Sequence, residues 1–172
     1  MAEQMPGELI YEYEGLRITG VTSYGAPPFD AVMSGAEAIP PSGARYDFTL
    51  EGRVSGPRLR GTVKGIDHIQ VRPDGRVGLH IHAEITTDDG KKIALFADGV
   101  ASFPDGLAIG DLRETVALTT ADPGYEWVNA LQIAHDELPF GGTKQSGFGK
   151  EHGVEAFLQY TEEKSVVYGG VG

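Results

Sequence analysis

The chain has 172 residues, of which 40% are hydrophobic and 23% charged, the composition of one globular domain with room for a proper core. A net charge of −11 excludes a nucleic-acid or anionic-membrane surface built on clustered Lys and Arg. The absence of Cys excludes disulfides, thiolate metal sites and a Cys nucleophile.

The 25 Gly and 10 Pro punctuate the chain too often for a bundle of long helices and suit many short strands joined by turns. The opening residues, MAEQMPGELIYEYEG, carry neither the basic nor the apolar region of an export signal. No apolar run approaches the ~20 residues of a membrane helix. A cytoplasmic protein is expected.

Residues 8 to 22 show two alternating runs broken at Glu14-Gly15, which predicts a hairpin. Residues 23 to 45 contain two Pro-Pro pairs and little periodicity, a long loop of the kind that wraps a surface or covers a binding site. From Tyr46 to Gly99 strand signals are dense. Turns are expected at Ser55-Gly56-Pro57, Pro73-Asp74-Gly75 and Asp88-Asp89-Gly90. Two further strands are expected in LRETVALTT and YEWVNALQIA. Beyond Ala134 a Gly-rich stretch leads to KEHGVEAFLQY, where Val154, Phe157 and Leu158 share one helical face, and then to a short strand, KSVVY. The expected architecture is mainly β, a single antiparallel barrel or sandwich over residues 1–136, with a helix-strand appendage over 137–172.

In LHIHAEIT, alternation puts His80, His82, Glu84 and Thr86 on one strand face and Leu79, Ile81, Ala83 and Ile85 on the other. Alternation does not say which face is inward: the polar set is either a solvated surface or the lining of a pocket. As a pocket, His80 and His82 are acid-base candidates, with Glu84 and Asp67 as carboxylates that tune them. Two imidazoles and a carboxylate can also hold a metal. The spacing to Glu84 is short and no convincing later His completes the set, so neither metal nor cofactor is expected. Tyr125, Trp127 and Asn129 share a face of YEWVN and, with Tyr46, are the candidate seat for a small apolar ligand. No G-x-S-x-G elbow, P-loop or dinucleotide fingerprint is present.

With these residues in view, two resemblances follow. G-P-R-L-R-G, Asp67, T-x-D-G and Y-x-W-x-N, over about residues 43 to 134, resemble the bacterial domain-of-unknown-function family numbered three-two-three-seven, which implies a small antiparallel β-barrel and no particular activity. Residues 137 to 168, with P-F-G-G, K-x-S-G-x-G-[RK]-E and Y-T-E-x-K-x-V, resemble the C-terminal segment of the aldehyde dehydrogenase superfamily. In that superfamily the catalytic thiol and dinucleotide fold lie upstream, so no aldehyde oxidation is expected of this chain alone. The family's last strand joins subunits, which implies a use for Val166 and Val167, with Phe157 and Leu158, in a two-fold dimer; the barrel itself is the other possible partner for that strand.

The functional expectation is a small-molecule-binding barrel for an apolar carbonyl or aromatic compound, acting as a cofactor-independent lyase, isomerase or dehydratase. The alternative is a non-catalytic subunit whose tail docks on an aldehyde dehydrogenase or on its own copies.

Overall fold

A computed structural model describes residues 8–103, 111–136 and 165–171. Eight antiparallel strands close into a barrel in chain order: β1 (Glu8–Ser23), β2 (Ala44–Ser55), β3 (Arg60–Val71), β4 (Val77–Thr87), β5 (Lys92–Ser102), β6 (Asp111–Thr119), β7 (Leu131–Asp136) and β8 (Ser165–Val171). Consecutive strands pair throughout and β8 pairs with β1 to close the barrel, while short turns set the register among β2, β3, β4 and β5. Gly75 and Gly90 occupy the left-handed region at φ 84°, as the turns at Pro73-Asp74-Gly75 and Asp88-Asp89-Gly90 demand.

The structure differs from the sequence expectations in two places and, at the C-terminal strand, takes one of the two partners expected for it. Residues 8 to 23 form one strand rather than a hairpin. Gly15, at φ 59°, turns the chain through a bulge between Glu14 and Arg17, and the strand continues along β2. YEWVN is not a strand: Glu126–Ala130 form a 3-10 turn that leads into β7. The C-terminal strand is a stave of the barrel, with β1 on one side from Glu8 to Tyr13 and β7 on the other from Leu131 to Ala134. The barrel therefore supplies a partner for that strand, through β1 from Ser165 to Gly169 and through β7 from Tyr168 to Val171. The helix expected around Val154, Phe157 and Leu158 lies outside the described residues.

The long loop after β1 contains α1 (Phe29–Met33), whose Phe29 and Val32 are buried. They cap one end of the barrel with a core that includes Tyr46, Phe48, Ile69, Val71 and Leu79. The opposite end has its own core, in which Tyr11, Val54, Leu59, Ile85 and Ile93 pack under Val128 of the 3-10 turn. Burying aliphatic and aromatic side chains at both ends supplies the main stabilisation.

Candidate functional site

Between the two cores lies a waist of different chemistry. Even positions of β2 and odd positions of β3 to β5 face inward, as their burial alternation shows. At the waist those positions carry Gly52, Gly65, Ala83 and Gly99, all small, together with Asp67. β6 adds Glu114, opposite Gly99. The strands are close here: a Cβ on Gly99 would lie 2.8 Å from Glu114 Cγ and 2.2 Å from the Arg113 carbonyl oxygen. Glycine is required for Glu114 to sit where it does.

Asp67 and Glu114 are only 5% and 8% exposed. Asp67 Oδ1 accepts the backbone N–H of His80 at 3.2 Å. Glu114 Oε1 is buried and has no hydrogen-bond partner among the described residues. Burial pushes the Asp67 carboxyl up to about 6, against the opposing pull of the His80 N–H. Burial, reinforced by the charge of Asp67, pushes Glu114 up to about 7. Two carboxyls thus titrate near neutrality, where an acid and a base can coexist.

β1 contributes two phenols. Tyr11 is fully buried and Tyr13 half-buried, with their hydroxyl oxygens 3.3 Å apart and their rings edge to face. Burial holds both phenols well above their ordinary value, and the nearby Glu114 charge acts in the same direction. They stay protonated. One hydroxyl hydrogen serves the pair, and the other is available to an acceptor beside Glu114.

The wall around this waist is incomplete among the described residues. β6 pairs with β7 only from Arg113 to Val116, and β1 pairs with β8 only as far as Tyr13. From Glu14 onward β1 has a described partner on the β2 side alone. Ile18 and Val21, register partners of the half-buried Leu50 and the buried Phe48, are 45% and 56% exposed.

Of the residues singled out from sequence, Asp67 alone reaches the waist. His80, His82 and Glu84 are on the outer face of β4, while Leu79 and Ile85 are buried and Ile81 packs against the core. The expectation that the two imidazoles share an interior pocket is therefore corrected. The apolar set wins the inside because burying it releases more water-exposed apolar surface than burying imidazoles would.

His80 pairs with Asp98 across the β4–β5 ladder. His82 stacks edge-on between His68 and Phe96, at 5.6 and 4.8 Å between ring centres. Glu84 binds Lys92, a hydrogen bond that holds its carboxyl below the ordinary range. A carboxylate so placed is a poor proton donor near neutrality. Asp47 anchors the same outer face. Burial would raise its carboxyl, but hydrogen bonds from Tyr24, His68 and Arg45 bring it down to about 2.

The expected ligand seat is dispersed. Tyr46 is buried in the α1-end core and donates to the Pro27 carbonyl at 2.8 Å. Tyr125 donates to Asp89 at 2.9 Å. Asn129 braces Thr120, accepting its N–H and donating to its carbonyl, each at 2.8 Å. Trp127 packs on the far core with the Arg58 guanidinium 3.8 Å from its ring centre. Tyr46 thus serves the α1 end of the barrel, and Tyr125, Trp127 and Asn129 the opposite end. His82→Ala should accordingly change stability by less than about 0.5 kcal/mol in urea unfolding, since the site is exposed and leaves no buried group unpaired.

Sequence reasoning missed Glu114, Tyr11 and Tyr13. Glu114 does carry a signal: it shares strand parity with Val116 and Leu118, a lone acid on an apolar face.

Comparison with known proteins agrees with this architecture. The barrel is similar to a protein with unknown function from Clostridium acetobutylicum ATCC 824, at 20% identity and a TM-score of 0.64, covering 96% of this chain and 95% of that one. It is also similar to a beta-barrel like protein from Acinetobacter baumannii AYE, at 15% identity and a TM-score of 0.62, over 95% and 92% of the two chains. An enzyme from Penicillium herquei follows at 20% identity and a TM-score of 0.53, over 79% and 87%. These likenesses show the fold.

A betaine aldehyde dehydrogenase from Sinorhizobium fredii is 51% identical over 68 residues, 39% of this chain but only 14% of that enzyme's length. The aldehyde dehydrogenase family pattern matches residues 113–166, the final third of the barrel sequence and the stretch between its last two strands. The pattern described as "Protein of unknown function (DUF3237)" matches residues 38–134, which is more than half of the chain and includes both waist carboxyls. By that match the chain belongs to the DUF3237 family.

Proposed function

We propose that the waist is an acid-base site for a small, largely apolar carbonyl compound, and that the protein acts on it as an isomerase or lyase without a cofactor. The observation that carries this reading is the buried Glu114, unpartnered at Oε1 among the described residues, facing the same interior as Asp67 and the Tyr11–Tyr13 pair. A buried polar atom without a partner costs stability, and sites of binding or chemistry are where that cost is retained.

The roles follow from the two environments. Asp67, with the lower value, is the base that takes a proton from the carbon next to the carbonyl. As that C–H bond breaks, its electron pair moves into the carbonyl group and charge develops on oxygen. Protonated Glu114 and a phenol of the tyrosine pair donate hydrogen bonds to that oxygen, as preorganised donors do in a low-dielectric site. In a β,γ-unsaturated substrate the anion extends over the neighbouring double bond, and Asp67 returns the proton to the γ-carbon. The result is an allylic proton shift that balances without oxidant or reductant. Loss of a β-substituent from the same anion would make the reaction an elimination.

The test is exchange of the α-protons of neutral, enolisable ketones in deuterium oxide, followed by NMR. The wild-type chain should accelerate exchange, and Asp67→Asn should slow it by about a hundredfold, within the usual range for loss of a general base. His82→Ala should leave the rate unchanged. Exchange that survives in Asp67→Asn would remove Asp67 from the role of base.

A further inference from the structure

We propose that His80 and Asp98 are positioning residues for Asp67: tied to each other on the outer face of the barrel, they hold the His80 N–H against one carboxylate oxygen and leave the other to the substrate. The proposal rests on the acid-base reading of the waist and adds the residues that aim its base.

Strand register carries the argument. β3 and β4 pair residue by residue from Gly61–Thr87 to Asp67–Ile81 and resume at Gln70–Gly78, skipping His68–His80 and Ile69–Leu79 without a change of register. In that register the His80 N–H belongs to the His68 carbonyl. It goes instead to Asp67 Oδ1, at 3.2 Å. One diverted hydrogen bond accounts for both skipped pairs. The N–H therefore has two competing acceptors. The ionised carboxylate makes the stronger bond, but the ladder carbonyl wins if the strands close up or the carboxylate turns away.

The outer face keeps the strands apart. His80 Nδ1 pairs with Asp98 on β5, and β4 and β5 pair without interruption from Val77 to Thr86. On the other side, His68 Nδ1 lies 2.8 Å from Asp47 Oδ1 on β2, across an unbroken β2–β3 ladder. Each strand beside the opening is thus tied to its outer neighbour. Asp47 is itself held by Tyr24 and Arg45, which makes the β3 tie the stiffer of the two. The side chains of His80 and Asp98 are 55% and 46% exposed, so this tie can be released without disturbing the core. The charges that act on Asp67 through this wall are those of His68, His80 and Asp47, and Asp67 in turn faces Glu114 across the waist.

Amide NMR of the full chain, with the ketone exchange assay, tests the proposal. In wild type the His80 N–H resonance should shift with the titration of Asp67, at about pH 6, and lose that step in Asp67→Asn. Asp98→Ala and Asp98→Asn remove the same charge, but only Asn keeps an acceptor for His80 Nδ1, so the pair separates charge from tie. Asp98→Ala should lose most of the His80 step and titrate Asp67 at higher pH than Asp98→Asn does, because a hydrogen bond to the charged form has weakened. Its kcat for exchange should fall about tenfold below that of Asp98→Asn with KM alike, the effect of a misaimed base. A His80 resonance that ignores Asp67 in wild type overturns the proposal, as do Ala and Asn variants that match in titration and in rate. A coupled resonance without any ketone exchange sinks the acid-base reading instead, while the tether on Asp67 stands.

Discussion

Replacing Glu114 with Gln is expected to stabilise the protein by about 3 kcal/mol at about pH 8 and to change little at about pH 4. The direction follows from proton counting. Glu114 holds its proton up to about pH 7 in the folded chain, whereas an unfolded glutamate loses it near 4.5. Between those values the folded state binds more protons than the unfolded state, so stability falls as pH rises through the window. Above it the buried carboxylate imposes its full cost, and Gln, of the same shape and without charge, removes that cost. Below it both states are protonated and the substitution is nearly isosteric.

Asp67→Asn should act the same way over a window from about 4 to about 6, again by about 3 kcal/mol. Because the charge of Asp67 is part of what raises Glu114, the double variant should gain less than the sum. Asp47 works in the opposite sense: its depressed value contributes stability that is present above about pH 4 and lost as pH falls toward about 2. Wild-type stability should therefore peak at about pH 4 to 5, and urea unfolding midpoints from acid to mild alkali measure all of this. Wild-type and Glu114→Gln curves that run parallel would show that Glu114 ionises normally, and would remove it as the proton donor of the site.

The legible and illegible parts of this molecule divide along physical lines. Local chemistry was readable: Pro73-Asp74-Gly75 and Asp88-Asp89-Gly90 specify turns whatever surrounds them, and alternation fixed which residues share a face of β4. Alternation does not contain the inward direction, because two imidazoles and a carboxylate make as regular a stripe as three aliphatics do. Asp67 is legible in the sequence as one mark of the family's pattern, without its neighbours in space. Glu114 and Tyr13 come from strands far from it in sequence, and only barrel closure brings them to one interior. YEWVN reads as a strand by period two, yet the Asn129 side chain takes both backbone groups of Thr120 and favours a tight 3-10 turn. The C-terminal strand was recognisable as an edge needing a partner, but an edge does not say whether that partner belongs to the same chain.

That last point sets the second large expectation. Removal of residues 165 to 172 should abolish cooperative unfolding. β8 is hydrogen-bonded on both sides, so its loss strips partners from β1 between Glu8 and Tyr13 and from β7 between Leu131 and Ala134. Those segments carry Ile10, Tyr11 and Ile133, each at most 1% exposed and all part of the core at the 3-10 end. An open barrel would present two raw strand edges beside a wetted core, at a cost comparable to the whole stability of a domain this size, about 5 to 15 kcal/mol. A gentler change separates the strand's pairing from its mere presence. Val167 is the register partner of Tyr11, and a proline there, inside the β1–β8 pairing, should cost about 3 kcal/mol or more. Denaturant unfolding followed by circular dichroism, with dye binding to report exposed core, reads both variants. A truncated chain that still unfolds cooperatively at the wild-type midpoint would mean that β8 is dispensable to the barrel, and would return the C-terminal segment to the status of a detachable tail.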